Sequence, residues 1–173
     1  AIQSECWDVD NGRQVGTTGQ FETQYRAALW SGTAASYVNL HPANALFSSA
    51  YGVEGNRQVG GATFGGPPFG VRTHAATWEG SAASFVDHHP ASPLVPDSDP
   101  VVQSVFYGIR DESIVGYYFT TPSQPFLMKA MKSAGSTIAD MTPDIPPYVS
   151  EETVCNAHMT SRGEHIGFMG PSL

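Results

Sequence analysis

Lysine is almost absent: Lys129 and Lys132 are the only two in a chain of 173 residues with a formal net charge of −8. A surface that tracks phosphates needs clustered Lys or Arg to release counterions, so this composition argues against nucleic acid as a partner. Long apolar runs are missing too, and none nears the roughly 20 residues that cross a bilayer. With no basic amphipathic stretch either, membrane insertion is not expected. The chain has no Asn-x-Ser/Thr acceptor and no Gly-x-Ser-x-Gly elbow, which removes N-glycosylation and the signature of an α/β-hydrolase.

Cysteine is reduced to Cys6 near the start and Cys155 near the end. Their pairing would close almost the whole chain, and loop entropy puts such a bond at about 5 kcal/mol; two separate buried thiols are the other reading. The first residue is Ala1 rather than Met, which suits a mature chain freed of a signal peptide. The expectation is a secreted protein, extracellular or periplasmic, where a disulfide persists.

What the chain has in abundance is glycine, proline and internal repetition. Residues 26–42, with Trp30, Gly32, Asn39, His41 and Pro42, return as residues 74–90, with Trp78, Gly80, Asp87, His89 and Pro90. A second phrase, Asp10-Asn-Gly-Arg-Gln-Val-Gly16, returns as Glu54-Gly-Asn-Arg-Gln-Val-Gly60 and more loosely as Arg110-Asp-Glu-Ser-Ile-Val-Gly116. A period of roughly 50 residues marks stacked or radial units.

Short β-type runs separated by Gly, Pro, Asn and Asp predict two hairpins per unit. The first turns at Asp10-Asn-Gly12 or Glu54-Gly55-Asn56. The second turns at Glu79-Gly80-Ser81 and runs on through Ala83-Ser-Phe-Val86. In the third copy, Met131 or Lys132 falls near the tryptophan position, and Pro143-Asp-Ile-Pro-Pro147 forms a stiff connector. The expectation is a single all-β domain of four-stranded units, approximately 5–48, 49–103 and 104–148, with a half unit at 149–173. Units of this size are β-propeller-like; a β-trefoil or β-prism with an added hairpin gives a similar count.

The stretches Ala27-Ala-Leu-Trp-Ser-Gly32, Tyr37-Val-Asn-Leu-His-Pro42 and Ala50-Tyr-Gly-Val-Glu-Gly-Asn-Arg-Gln-Val-Gly60 resemble HAF-type repeats of bacterial extracellular proteins, over residues 8–90. The resemblance implies a secreted, propeller-like scaffold, and it brings no catalytic residues with it.

Candidate site residues come from the repeat itself. Trp30 and Trp78 occupy matching places, suited either to packing between sheets or to stacking a sugar ring. Asn39, Asp87 and Asp140 each stand three residues before a proline, the place for an Asx turn; with His41, His88 and His89 they are also candidate ligand groups. His88 and His89 are adjacent and face opposite ways in a strand, which does not suit one metal ion, and His158 and His165 lack a zinc-site spacing. Asp8, Asp10 and the pair Asp97 and Asp99 have oxygen-rich spacing without completing a ligand loop. No cofactor is expected, calcium being the one ion such stretches suit.

Together these features point to a non-catalytic binding protein that recognises a polysaccharide or a protein partner through loops at 61–72 and 91–104. A subunit completed by strand pairing with a neighbouring chain is the structural alternative. A glycan-active hydrolase or lyase using residues such as Asp87, Asp140, Asp144, Glu151 or Glu152 is the enzymatic one.

Overall fold

A computed structural model describes residues 2–20, 24–66, 70–90, 101–120, 128–134, 137–141, 152–159 and 165–170. They form an all-β structure of three four-stranded antiparallel sheets and a two-stranded one. The first sheet is the meander β1 (Ile2–Asp10), β2 (Arg13–Gln20), β3 (Gln24–Trp30) and β4 (Val38–Asn39). The second is β5 (Phe47–Glu54), β6 (Arg57–Gly66), β7 (Gly70–Trp78) and β8 (Val86–Asp87). The third is β9 (Val101–Arg110), β10 (Ser113–Thr120), β11 (Met128–Ala134) and β12 (Thr137–Asp140). The hairpin of β13 (Glu152–Met159) and β14 (His165–Gly170) follows.

Each unit opens with the same hairpin, for a local reason. Asn11 and Gly12 both adopt left-handed backbone, as the two-residue turn between β1 and β2 requires, and Asp111 and Glu112 do the same between β9 and β10. Within each hairpin the first strand carries one extra residue. Register passes from Cys6↔Gly16 to Asp8↔Val15, from Ala50↔Gly60 to Gly52↔Val59 and from Phe106↔Gly116 to Gly108↔Val115. The bulged residues are therefore Trp7, Tyr51 and Tyr107. Opposite each bulge the strands lie so close that a Cβ on Gly16, Gly60 or Gly116 would overlap the carbonyl oxygen of Glu5, Ser49 or Val105. The repeated Val-Gly phrase is the sequence trace of that close approach.

The sheets pack in chain order. Strand alternation gives each one a front face, turned toward the preceding sheet, and a back face. Val15, Ala27, Leu29 and Leu40, from the first sheet and the segment after it, meet Ala50, Val53, Ala62, Ala76 and Trp78 on the front of the second. Val59 and Ala75 on the back of the second meet Phe106, Ile109, Tyr118 and Met131 of the third. The first strands also pack on one another, β1 on β5, β5 on β9 and β9 on β13. Their bulged aromatics make a column, with ring centroids 5.8 Å apart for Trp7–Tyr51 and 4.7 Å for Tyr51–Tyr107. Carboxylates at the strand ends tie unit to unit: Asp8 accepts the Val53 N–H at 2.9 Å, Asp10 that of Gly55 at 2.8 Å and Glu54 that of Asp111 at 2.9 Å.

Several expectations are corrected. Residues 83–85 do not continue a strand: Ala82–Ser84 is a single 3-10 turn, and β8 keeps only Val86 and Asp87 paired to β7. The reason is Ser84, whose hydroxyl accepts the Glu79 N–H at 2.7 Å and donates to the Ser81 carbonyl at 2.7 Å, locking a tight turn; Ser36 does the same between Ser31 and Thr33. Much of the expected loop 61–72 is strand, since β6 runs to Gly66 and β7 starts at Gly70, and 101–104 belongs to β9. Alternating residues there pack inward, Ala62 fully. Residues 91–100 and the connector 143–147 lie outside the described residues. The third-copy counterpart of Trp30 and Trp78 is neither Met131 nor Lys132. Gln14↔Trp30, Gln58↔Trp78 and Ile114↔Ser133 are matching pairs, which makes it the buried Ser133.

The expected disulfide is not seen among the described residues. Cys6 is a free, exposed thiol on β1, whose neighbour is β5, whereas Cys155 belongs to β13, which packs on β9; the Cys155 side chain lies outside the described residues.

Candidate functional site

The front face of the first sheet has no sheet before it among the described residues, and a groove of about 490 Å³ runs across it, lined by residues that include Ser4, Thr18, Gln20, Arg26, Trp30 and Tyr37. β1, β2 and β3 supply all of these but Tyr37, which follows the 3-10 turn at Ala34–Ser36. Trp30 and Tyr37 stand 6.1 Å apart between ring centroids. Their matching pair in the second sheet, Trp78 and Phe85, stands 5.9 Å apart with Trp78 fully buried, whereas Tyr37 is 42% exposed and Trp30 half-buried. The same sequence position is thus core in one unit and groove wall in another. The turn supporting each tryptophan is held identically: Gln14 accepts the Gly32 N–H at 2.8 Å and donates to the Gly12 carbonyl at 2.9 Å, as Gln58 does with Gly80 and Asn56.

Asn39 and Asp87 do form Asx turns, accepting the N–H of His41 at 3.0 Å and of His89 at 2.8 Å. Those two histidines join one unit to the next. Ser48, buried on β5, accepts the Ala27 N–H at 2.9 Å and shares a hydrogen bond with His41 Nδ1 at 2.8 Å. Ser104, buried on β9, treats Ala75 and His89 Nδ1 likewise, both at 2.9 Å. The arrangement answers a structural need: β4 and β8 are too short to cover Ala27 and Ala75 on the edge of β3 and β7, and a buried N–H requires an acceptor. Sequence reasoning missed both serines because each partner lies in a neighbouring unit; register places Ser4↔Thr18, Ser48↔Ala62 and Ser104↔Tyr118 in one position, which is the signal that finds them. Removing either buried hydroxyl leaves an unpaired N–H, so Ser104→Ala and Ser48→Ala are each expected to lower stability by about 1–3 kcal/mol in urea melts. Ser4→Ala, on the exposed groove, is expected to leave it unchanged.

Charge around the second joint is arranged with care. His74 Nδ1 lies 2.7 Å from Asp87 Oδ2, and its ring stacks on His89 at 4.1 Å. Burial alone raises the Asp87 carboxyl, but hydrogen bonds from His74 and the His89 N–H carry it below its ordinary value. Burial, reinforced by neighbouring His74, lowers His89 to about 4, and burial lowers His41 and His88 as well. His88 has its own partner, Thr77 Oγ1 at 2.9 Å. A histidine depressed in the fold binds its proton more readily unfolded, so its contribution is complete above the ordinary value near 6.5 and is lost as pH falls toward 4. The urea midpoint is expected to hold steady from pH 8 to 7 and to drop between pH 6.5 and 4.5, with a smaller drop in His89→Asn; equal drops would remove His89 from the account.

No group of three or more His, Cys, Asp or Glu side chains is placed to hold a metal among the described residues. Asp8 and Asp10 are engaged by backbone N–H groups, as described above, while Asp97, Asp99, Asp144 and Glu151 lie outside the described residues. The Ser104, His89 and Asp87 grouping is not a nucleophilic triad in its geometry, because Ser104 is fully buried, accepts the Ala75 N–H, and has a counterpart in the His41 and Ser48 joint.

No family model, no curated protein and no solved structure matches this chain.

Proposed function

We propose that this chain is a secreted, non-catalytic β-repeat protein that binds a glycan in the groove on the front of its first sheet. One observation carries the reading: Trp30 and Trp78 are equivalent by register, yet only Trp78 is used for core, and the position left open is surrounded by hydrogen-bonding side chains. An aromatic wall with polar groups at its edges suits a sugar ring, which offers apolar C–H faces and hydroxyl rims. The likeness to HAF-type extracellular repeats belongs to the same proposal. So does a propeller-like fanning of the sheets from their first strands, which the packing of β1 on β5, β5 on β9 and β9 on β13 supports.

A second reading has its own support, since the matching face of the second and third sheets is covered by the preceding sheet. A neighbouring chain would cover the first sheet in an assembly. The front of the first sheet has Cys6, Thr18, Gln20 and Arg26 where the second has Ala50, Ala62, Phe64 and His74, and this polar set favours a solvated ligand over a buried interface. Binding to a glycan panel followed by intrinsic tryptophan fluorescence tests the choice. Quenching lost in Trp30→Ala supports glycan binding. A native mass of several chains with no glycan response supports assembly.

A further inference from the structure

The groove carries a permanent cation and an amide where the matching place in the second sheet carries a histidine and an acid. In the second sheet, His74 of β7 pairs at 2.7 Å with Asp87, two residues along from Ala76↔Asp87 in register. The matching residues of the first sheet are Arg26 and Asn39, related through Ala28↔Asn39. The basic position here is an always-charged guanidinium, while its partner is a neutral amide whose oxygen is committed to the Asx turn at 3.0 Å from the His41 nitrogen. Arg26 is exposed and makes no ion pair among the described residues. Among the described residues the groove lining includes no Asp or Glu, although the chain carries 16 of them. A guanidinium whose register partner is an amide rather than a carboxylate is complementary to an anion brought from outside.

We propose that the groove binds an acidic glycan, a chain bearing uronate carboxylates, with Arg26 receiving the carboxylate and Trp30 and Tyr37 receiving the sugar ring. This rests on the glycan reading of the same groove and names its ligand class. The guanidinium fork matches a carboxylate with two parallel charge-assisted N–H···O bonds, and a neutral sugar offers no charged acceptor. The hydroxyls of Ser4 and Thr18 and the amide of Gln20 line the same groove and suit the sugar's remaining hydroxyls. Ser4 is well placed for this because the hydroxyl that its counterparts Ser48 and Ser104 use to hold a neighbouring sheet is exposed here.

The test is calorimetric titration of the full chain with oligogalacturonate, oligoalginate, methyl-esterified oligogalacturonate and a neutral cello-oligosaccharide. Wild type, Arg26→Gln, Arg26→Lys and Trp30→Ala are compared, each first shown to be folded by its circular dichroism. At least one uronate is expected to bind about tenfold or more tightly than the uncharged sugars, with the advantage shrinking as salt rises. Arg26→Gln is expected to erase that advantage, Arg26→Lys to keep part of it, and Trp30→Ala to weaken every ligand. Equal affinity for acid and ester, or a preference that survives Arg26→Gln, would overturn the inference while leaving the glycan reading standing. No response to any of the four sugars by folded protein would overturn both.

Discussion

Gly60→Ala is expected to lower stability by about 3 kcal/mol or more, far more than adding one methyl group at the turn of an opening hairpin. The added Cβ would overlap the Ser49 carbonyl oxygen and press on the Ala50 backbone. Neither atom is the end of a flexible side chain, so relief requires undoing the bulge at Tyr51. That would shift Ser48, Ala50 and Val53 of β5 relative to β6, and a one-residue slip turns a core face outward. Gly12→Ala is the comparison: its Cβ meets open space, and only its left-handed backbone, φ +77°, opposes the change. The expected cost there is about 1 kcal/mol. Urea denaturation of the two variants checks this, and equal small losses would mean that β5 and β6 are not paired as described.

Trp78→Ala is expected to cost about 3–5 kcal/mol, because a fully buried indole between the first and second sheets leaves a cavity lined by residues held by their own sheets. Trp30→Ala, at the matching position, is expected to cost about 1 kcal/mol or less, since its groove is already open to water. Trp78→Phe separates volume from hydrogen bonding. The buried Trp78 Nε1 has no hydrogen-bond partner among the described residues, so losing it carries no penalty and the phenylalanine variant should recover most of the stability. Similar losses for Trp30→Ala and Trp78→Ala would show that the first sheet's front face is covered in solution, which would remove the groove and both proposals built on it.

Much of this was legible locally. Asn11-Gly12 specifies its turn through backbone preference alone, and the Asx turns at Asn39 and Asp87 need only their own residues and the next two. The strand content and the repeated hairpin follow from alternation and punctuation. The expected strand at 83–85 failed because Ser84 competes for the backbone with a hydrogen bond that composition does not announce. The expected binding loop at 61–72 failed because glycines read as loop signals sit within β6, where neighbouring side chains crowd the place of a Cβ, as Thr73 does at Gly61 and Leu46 at Gly65.

The division between chain and fold is clearest at the candidate site. The sequence by itself determined that the chain is all-β, that it repeats, and that Trp30 and Trp78 are counterparts, since these depend on backbone propensities and spacing that every unit carries within itself. Only the tertiary structure decided which tryptophan is core, that His41 and His89 are joints held by Ser48 and Ser104, and that Arg26 stands without the acid that His74 has. Burial and ion pairing are relations between a sheet and whatever lies over its face, and identical motifs acquire different roles when one face is covered and the other is open.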